Sequence, residues 1–194
     1  MQVSSVEGSV IYFESAGKHN TNAVLEAVMG YAEREGIRNI VVASTTGETG
    51  AKAALMLKGF EVVVVTHHMG FREPGVHELL NNFRQQILKH KAKVLTSTHA
   101  LSSVERAMRR KFGALQPLEI IANALRLLGE GTKVCVEIVI MAADAGLIPV
   151  DRDVIAIAGT GRGADTALVI RPANASSFFD LEIREIIAKP RNFR

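Results

Sequence analysis

Asn39-Ile40-Val41-Val42-Ala43-Ser44-Thr45-Thr46-Gly47-Glu48-Thr49-Gly50 is the stretch from which the fold follows. Ile40, Val41 and Val42 are consecutive rather than alternating, the pattern of a strand buried on both faces, and such strands belong to parallel sheets covered by helices. The hydroxyl-rich turn that follows contains Gly47 and leads into Ala51 to Leu57, an Ala/Leu/Met helix. Glu61 to Thr66 is then a second continuous apolar strand. Strand, helix and strand in this order predict a right-handed crossover between parallel neighbours.

Working outward, a β-type run from Ser9 to Phe13 and a polar turn from Glu14 to Thr21 precede a helix to about Glu35, which Gly36 ends. Val24, Leu25, Val28, Met29 and Ala32 give this helix an apolar face at 3.6-residue spacing. Downstream, a loop from His67 to Gly75 leads to a helix over Val76 to His90 and a short strand over Lys93 to Thr96. Helices then follow over Ala100 to Phe112, Pro117 to Leu128 and Thr132 to Ala145. The close is again β-like: Val154 to Ala158, a glycine loop, Ala167 to Arg171, and a run from Leu181 to Ala188 that fits strand or helix. No linker interrupts the pattern, so residues 1–194 read as a single domain. The expected fold is a three-layer α/β fold with a mainly parallel sheet, an antiparallel strand at the carboxy-terminal edge, and extra helices from the 76–145 region.

Composition sets the boundaries of function. With 47% apolar and 22% charged residues in 194, the chain can bury a full core. The 23 Lys and Arg against 20 Asp and Glu leave a net charge of +3, too little for a polyanion-binding surface, and there is no Trp and only two Tyr to stack bases. Nucleic acid is therefore not an expected partner. One cysteine, Cys135, cannot form an internal disulfide, and acidic Glu7 and Glu14 stand where a secretory leader needs positive charge, so a cytoplasmic setting is expected. Lys133, Glu137 and Asp144 interrupt the longest apolar run, residues 133–148, which is too short to span a bilayer. That run fits burial in a core or in a homo-oligomer interface.

Two loops carry chemistry. Ser44, Thr45, Thr46, Gly47, Glu48 and Thr49 combine hydroxyls, a glycine that admits close backbone approach, and a helix amino terminus with unpaired N–H groups, which together suit a phosphate. Plain helix capping by the same hydroxyls is the competing reading, and Glu48 favours it by already complementing the dipole. The second loop, Gly159-Thr160-Gly161-Arg162-Gly163-Ala164, satisfies the form of a dinucleotide fingerprint. That fingerprint needs a helix to start within it, whereas Ala167-Leu168-Val169-Ile170 reads as strand, so the loop is a glycine-rich hairpin. Arg162 offers it a forked donor for phosphate, with Thr160 and Thr166 beside it. In a parallel sheet the turns after the strands gather on the ligand-binding edge, which adds Lys18, Asn20 and His68 as further candidates.

The remaining constellations are weaker. His67, His68 and His77 lack a carboxylate at metal-ligand spacing, and no metal is expected. Cys135 lies in an apolar helix without a cationic neighbour and reads as a buried, inert thiol. No nucleophile elbow of the form G-x-S-x-G occurs. Glu137 and Asp144, seven apart on an apolar helix, need partners: ligand hydroxyls, Arg162, or solvent along a narrow stripe. Arg106, Arg109, Arg110 and Lys111 read as a solvated basic face.

The segments from Asn39 to Thr66 resemble the opening half of the pyruvate kinase carboxy-terminal domain. Asp151 to Ile170 is similar to that domain's closing strand, glycine-rich loop and antiparallel strand. Together with flanking helices the likeness covers a little over half the chain; residues 67–130 carry no motif of that domain. Tyr12-Phe13-Glu14, Gly17-Lys18, Asn20-Thr21 and Ala142 to Pro149 resemble a group of small stand-alone archaeal-type proteins described as pyruvate-kinase α/β-domain-like and uncharacterised in function. The resemblance implies a phosphate-anchored ligand at the strand ends, a sugar bisphosphate in pyruvate kinase and flavin mononucleotide (FMN) in the small proteins. It does not imply pyruvate kinase activity, which belongs to a barrel domain for which this chain has no room. The expected function is binding of a phosphorylated small molecule, FMN first, as a flavin-dependent oxidoreductase if it is an enzyme. The alternative is a sugar-phosphate-sensing regulatory or oligomerisation module without catalysis.

Overall fold

The computed structural model describes residues 8–193. Seven strands form one sheet in the order β1-β7-β6-β5-β2-β3-β4. In chain order they are β1 (Ile11–Ser15), β2 (Asn39–Ala43), β3 (Glu61–Thr66), β4 (Lys93–Thr96), β5 (Val154–Ala158), β6 (Thr166–Arg171) and β7 (Glu182–Asn192). The helices are α1 (Thr21–Glu35), α2 (Glu48–Met56), α3 (Asn81–Lys89), α4 (Ser103–Phe112), α5 (Pro117–Leu125) and α6 (Glu130–Asp144).

β2 pairs in parallel with β3 on one side and β5 on the other, the setting its run of branched residues demands. Ile40 and Val42 enter one core with α1, α2 and α3, while Val41 enters a second core dominated by α6. The sheet is therefore covered on both faces, as three layers require. β6 is the antiparallel strand, joined to β5 by a hairpin with Ala158 opposite Thr166. β7 and then β1 complete that side of the sheet. The run from Leu181 resolves as strand and continues through Pro190, which lies beyond the last β6 partner of β7 and faces only Phe13 of β1. A proline that donates nothing fits there.

Boundaries differ most around α3. A helix from Val76 is expected, but it starts only at Asn81, because the Leu80 N–H donates to the carbonyl of Thr46 at 3.0 Å. Leu79 and Phe83 also pack where a side chain on Gly47 would stand, and Gly47 holds a φ of 96°. Contact with the β2–α2 turn thus draws the preceding residues out of helix. α2 itself lies close on the sheet: a Cβ on Gly50 would fall 2.5 Å from Val64 Cγ1 and 3.2 Å from Ile87 Cδ1. Gly50→Ala overpacks this contact, and a loss of about 1–3 kcal/mol is the expected result in urea denaturation.

Candidate functional site

β2 and β5 are neighbours whose outgoing connections diverge. β2 leads through α2 to β3 on one side, while β5 turns through the hairpin to β6 on the other. The carboxyl ends of such a pair leave a crevice, the usual ligand position in open α/β sheets. Here it opens into a cavity of about 800 Å³. Ser44, Thr45, Thr46, Glu48 and Thr49 line it from the first loop, and Gly159, Gly161, Arg162 and Gly163 from the second.

The other candidates do not line this cavity. Gly47 turns its α-carbon toward Leu79 and Phe83. The Thr166 hydroxyl donates to Asp165 Oδ1 at 2.8 Å, and the backbone N–H of Thr160 donates to Asp165 Oδ2 at 3.0 Å. Asn20 donates from its side chain to the Ser15 carbonyl, while Lys18 backs the hairpin at Gly163, where a Cβ would strike it. His68 donates to the Met69 carbonyl and borders a separate, smaller groove. Asp144 is exposed at the carboxyl end of α6 and accepts from the Asn174 side chain and the Ala175 N–H, far down the helix from the cavity residues Glu130, Lys133 and Glu137. Lys18 and Thr166 thus brace the hairpin, and Asn20 ties its own turn to the end of β1. The His68 ring lies 5.3 Å from that of His99, which lines the cavity, and Asp144 follows one turn after Met141, which also lines it.

Asp165 fastens that hairpin. It is fully buried and accepts three hydrogen bonds, from Gly17 N–H, Thr160 N–H and the Thr166 hydroxyl, while the Ala164 N–H donates to Thr21 Oγ1 at 3.0 Å. Sequence reading passed over Asp165 because nothing local distinguishes it from a surface loop aspartate. Helix capping at the first loop is also realised: Ser44 Oγ accepts the Gly50 N–H at 3.0 Å. The hydroxyl keeps its own proton to donate, so capping and ligand contact are compatible.

The helical segment from 99 to 137 forms the opposite wall, and the basic residues of α4 keep the solvent exposure expected of them. Arg106, Arg109 and Arg110 line the cavity, while Val104, Met108 and Phe112 are exposed. Arg106 lies over the Phe71 ring at 4.8 Å and Arg109 pairs with Glu119, while all three arginines stay exposed at the cavity mouth. Glu137 finds its partners in the protein: Lys133 Nζ at 2.5 Å and the Leu101 N–H at 3.0 Å. Both ionic side chains are buried. His99 Nδ1 lies 3.7 Å from Glu137 Oε2, yet burial lowers the His99 pKa to about 4, outweighing the attraction of Glu137.

Cys135 is buried with its thiol against the Ala156 carbonyl, and burial raises its pKa well above the usual range. Among the described residues no group of three or more His, Cys, Asp or Glu side chains is placed to hold a metal ion.

The sequence profile described as pyruvate kinase, alpha/beta domain, matches residues 22–170, from α1 through β6. The chain belongs to the pyruvate kinase α/β domain family. Among solved structures, a pyruvate kinase from Cryptosporidium parvum is similar at 14% identity with a TM-score of 0.38, covering 77% of this chain and 22% of the kinase. A Cryptosporidium parvum pyruvate kinase in complex with ADP is similar at 16% identity and a TM-score of 0.34, with the same coverages. The chain thus spans about a fifth of the length of these kinases. Among the described residues no helix is long and apolar enough to cross a membrane.

Two outcomes follow from this geometry. Asp165→Ala strands two backbone donors and the Thr166 hydroxyl, and should lower stability by about 2–4 kcal/mol, with faster amide exchange at Gly17 and Thr160. For His99, the unfolded chain takes up a proton near pH 6.5 while the folded protein resists until about 4. Stability therefore falls as pH drops through that window, and the His99→Gln variant should show a shallower fall in pH-dependent denaturation.

Proposed function

We propose that this protein binds a phosphorylated small molecule, FMN first among candidates, in the cavity between the two loops. The observation that carries the reading is the convergence of the Ser44–Thr49 turn and the Arg162 hairpin on one crevice. The charge balance of the walls supports it. Arg72, Arg109, Arg126 and Lys133 are each paired with a glutamate, whereas among the described residues Arg106, Arg110 and Arg162 form no ion pair, against Glu48 and Glu105, the two lining carboxylates that form none either. Unneutralised guanidinium groups beside a helix amino terminus fit an anion.

Magnitude requires more than one contact. A helix amino terminus contributes about 0.3–2 kcal/mol, while micromolar affinity needs about 8 kcal/mol. The turn, Arg162 and the long remainder of a flavin nucleotide would have to act together, and a cavity of about 800 Å³ is of ligand size. Ser44, Thr46, Thr49 and Arg162 would hold the phosphate. Bound FMN would supply electron transfer, the protein placing and tuning it. The buried thiol of Cys135 is compatible with a reducing compartment such as the cytoplasm.

A second reading is favoured by the outer faces of the same helical wall. Val104, Phe112, Leu115, Ile120 and Leu127 are exposed there, so a sugar phosphate drawn into the cavity could alter association between copies of the chain.

The test is an absorbance titration with FMN on the protein and on Thr46→Ala and Arg162→Ala. Binding that each variant weakens tenfold or more supports the first reading. No spectral change with FMN, together with a change in light scattering on adding a sugar bisphosphate, replaces it with the second.

A further inference from the structure

His67 stands where β3 ends, and its ring is held on three sides. It packs on Phe71 with ring centroids 3.9 Å apart. Its Nδ1 lies 2.7 Å from Glu78 Oε2, and its Nε2 lies 3.4 Å from Thr45 Oγ1. Arg72 Nε in turn lies 3.0 Å from Glu78 Oε1. With the Nδ1 proton donated to Glu78, Nε2 is an acceptor facing the Thr45 hydroxyl. Thr45, His67, Arg72 and Glu78 all line the cavity, and Thr45 sits on the turn after β2, just ahead of the first turn of α2, whose Gly50 N–H is taken by Ser44 Oγ.

A hydroxyl, a base in reach of it, a carboxylate that orients the base and backbone donors nearby are the parts of an acyl-transfer site, recognised by geometry rather than chain order. We infer that Thr45 is a nucleophile activated by His67, and that the cavity hydrolyses small carboxylic esters. As Thr45 Oγ1 bonds to the ester carbonyl carbon, His67 Nε2 takes the hydroxyl proton and the carbonyl electron pair moves onto oxygen. The tetrahedral intermediate collapses with rupture of the bond to the leaving oxygen, which takes the proton from His67. Water then repeats the sequence, releasing the carboxylic acid and restoring Thr45. Thr45 and His67 touch the reacting atoms; Glu78 and Arg72 are positioning residues. The cationic wall formed by Arg106, Arg110 and Arg162 selects esters that also carry a negative charge. This inference does not rest on FMN as the ligand, since it concerns the bond chemistry of the turn.

The test uses p-nitrophenyl acetate with the full chain. The expected result is a burst of p-nitrophenolate and a single acetyl group mapped by mass spectrometry to the peptide carrying Thr45. Thr45→Ala and His67→Ala should abolish both, while Thr45→Ser should restore them. Glu78→Gln should slow acetylation by about ten- to a hundredfold and Glu78→Asp should recover part of the rate, a rescue that a merely structural role would not give. Circular dichroism of each variant checks folding, and loss of acetylation in a folded His67→Ala supports the inference. Acetyl groups only on lysines or Cys135, or acetylation of Thr45 at an unchanged rate in folded His67→Ala, would overturn it. FMN titration of the same variants keeps this outcome separate from the ligand proposal.

Discussion

The parallel pairing of β2 with β5 is the constraint on which the rest depends. The two strands register Ile40 with Ile155 and Val42 with Ile157, yet the chain between them passes through β3, β4 and the five helices α2 to α6 before returning. Parallel neighbours cannot be joined by a tight turn, so each strand must send its chain away at the carboxyl end. One leaves by a turn into α2 and the other by a hairpin into β6. The crevice, the loops that border it and the donors within it are consequences of that divergence.

Because those strands are covered on both faces, their sequences had to be continuous apolar runs, and this made them legible. Asn39–Ala43, Glu61–Thr66 and Val154–Ala158 appear in the structure with the bounds read from the chain, as does Lys93–Thr96, a half-exposed edge strand. The β5–β6 hairpin was equally readable, since a strand pattern after Gly163 left no place for a helix. What escaped reading depends on distant contacts. The start of α3 is set by Leu80 bonding to Thr46, and the placement of Arg106 and Arg109 by Phe71 and Glu119. Local periodicity carries neither.

The site divides in the same way. Its hydroxyls and glycines belong to short contiguous stretches and could be named, although Gly47 and Thr166 turn toward the protein. The Thr45–His67–Glu78 arrangement spans three separate segments, so no motif announces it. Glu137 was flagged correctly as needing a partner. That partner, Lys133, lies one helical turn away on the same face, where i,i+4 neighbours meet. A buried pair of this kind adds little net stability compared with an apolar one, but it places a fixed dipole in the cavity wall.

The edge strand β1 hydrogen-bonds only to β7, with Ile11 beside Ala188 and Ser15 beside Asn192. The Ala16 N–H and Glu14 carbonyl are also satisfied by Asn192. Few contacts in the molecule join residues more distant along the chain. On the ribosome, β1 emerges before the other six strands of the sheet and must wait for β7, so its backbone stays unpaired while β2 and β3, close in sequence, can already associate. The earliest strand to be synthesised is then the last to join the sheet, and its long-range closure belongs to the slow, high-contact-order end of folding.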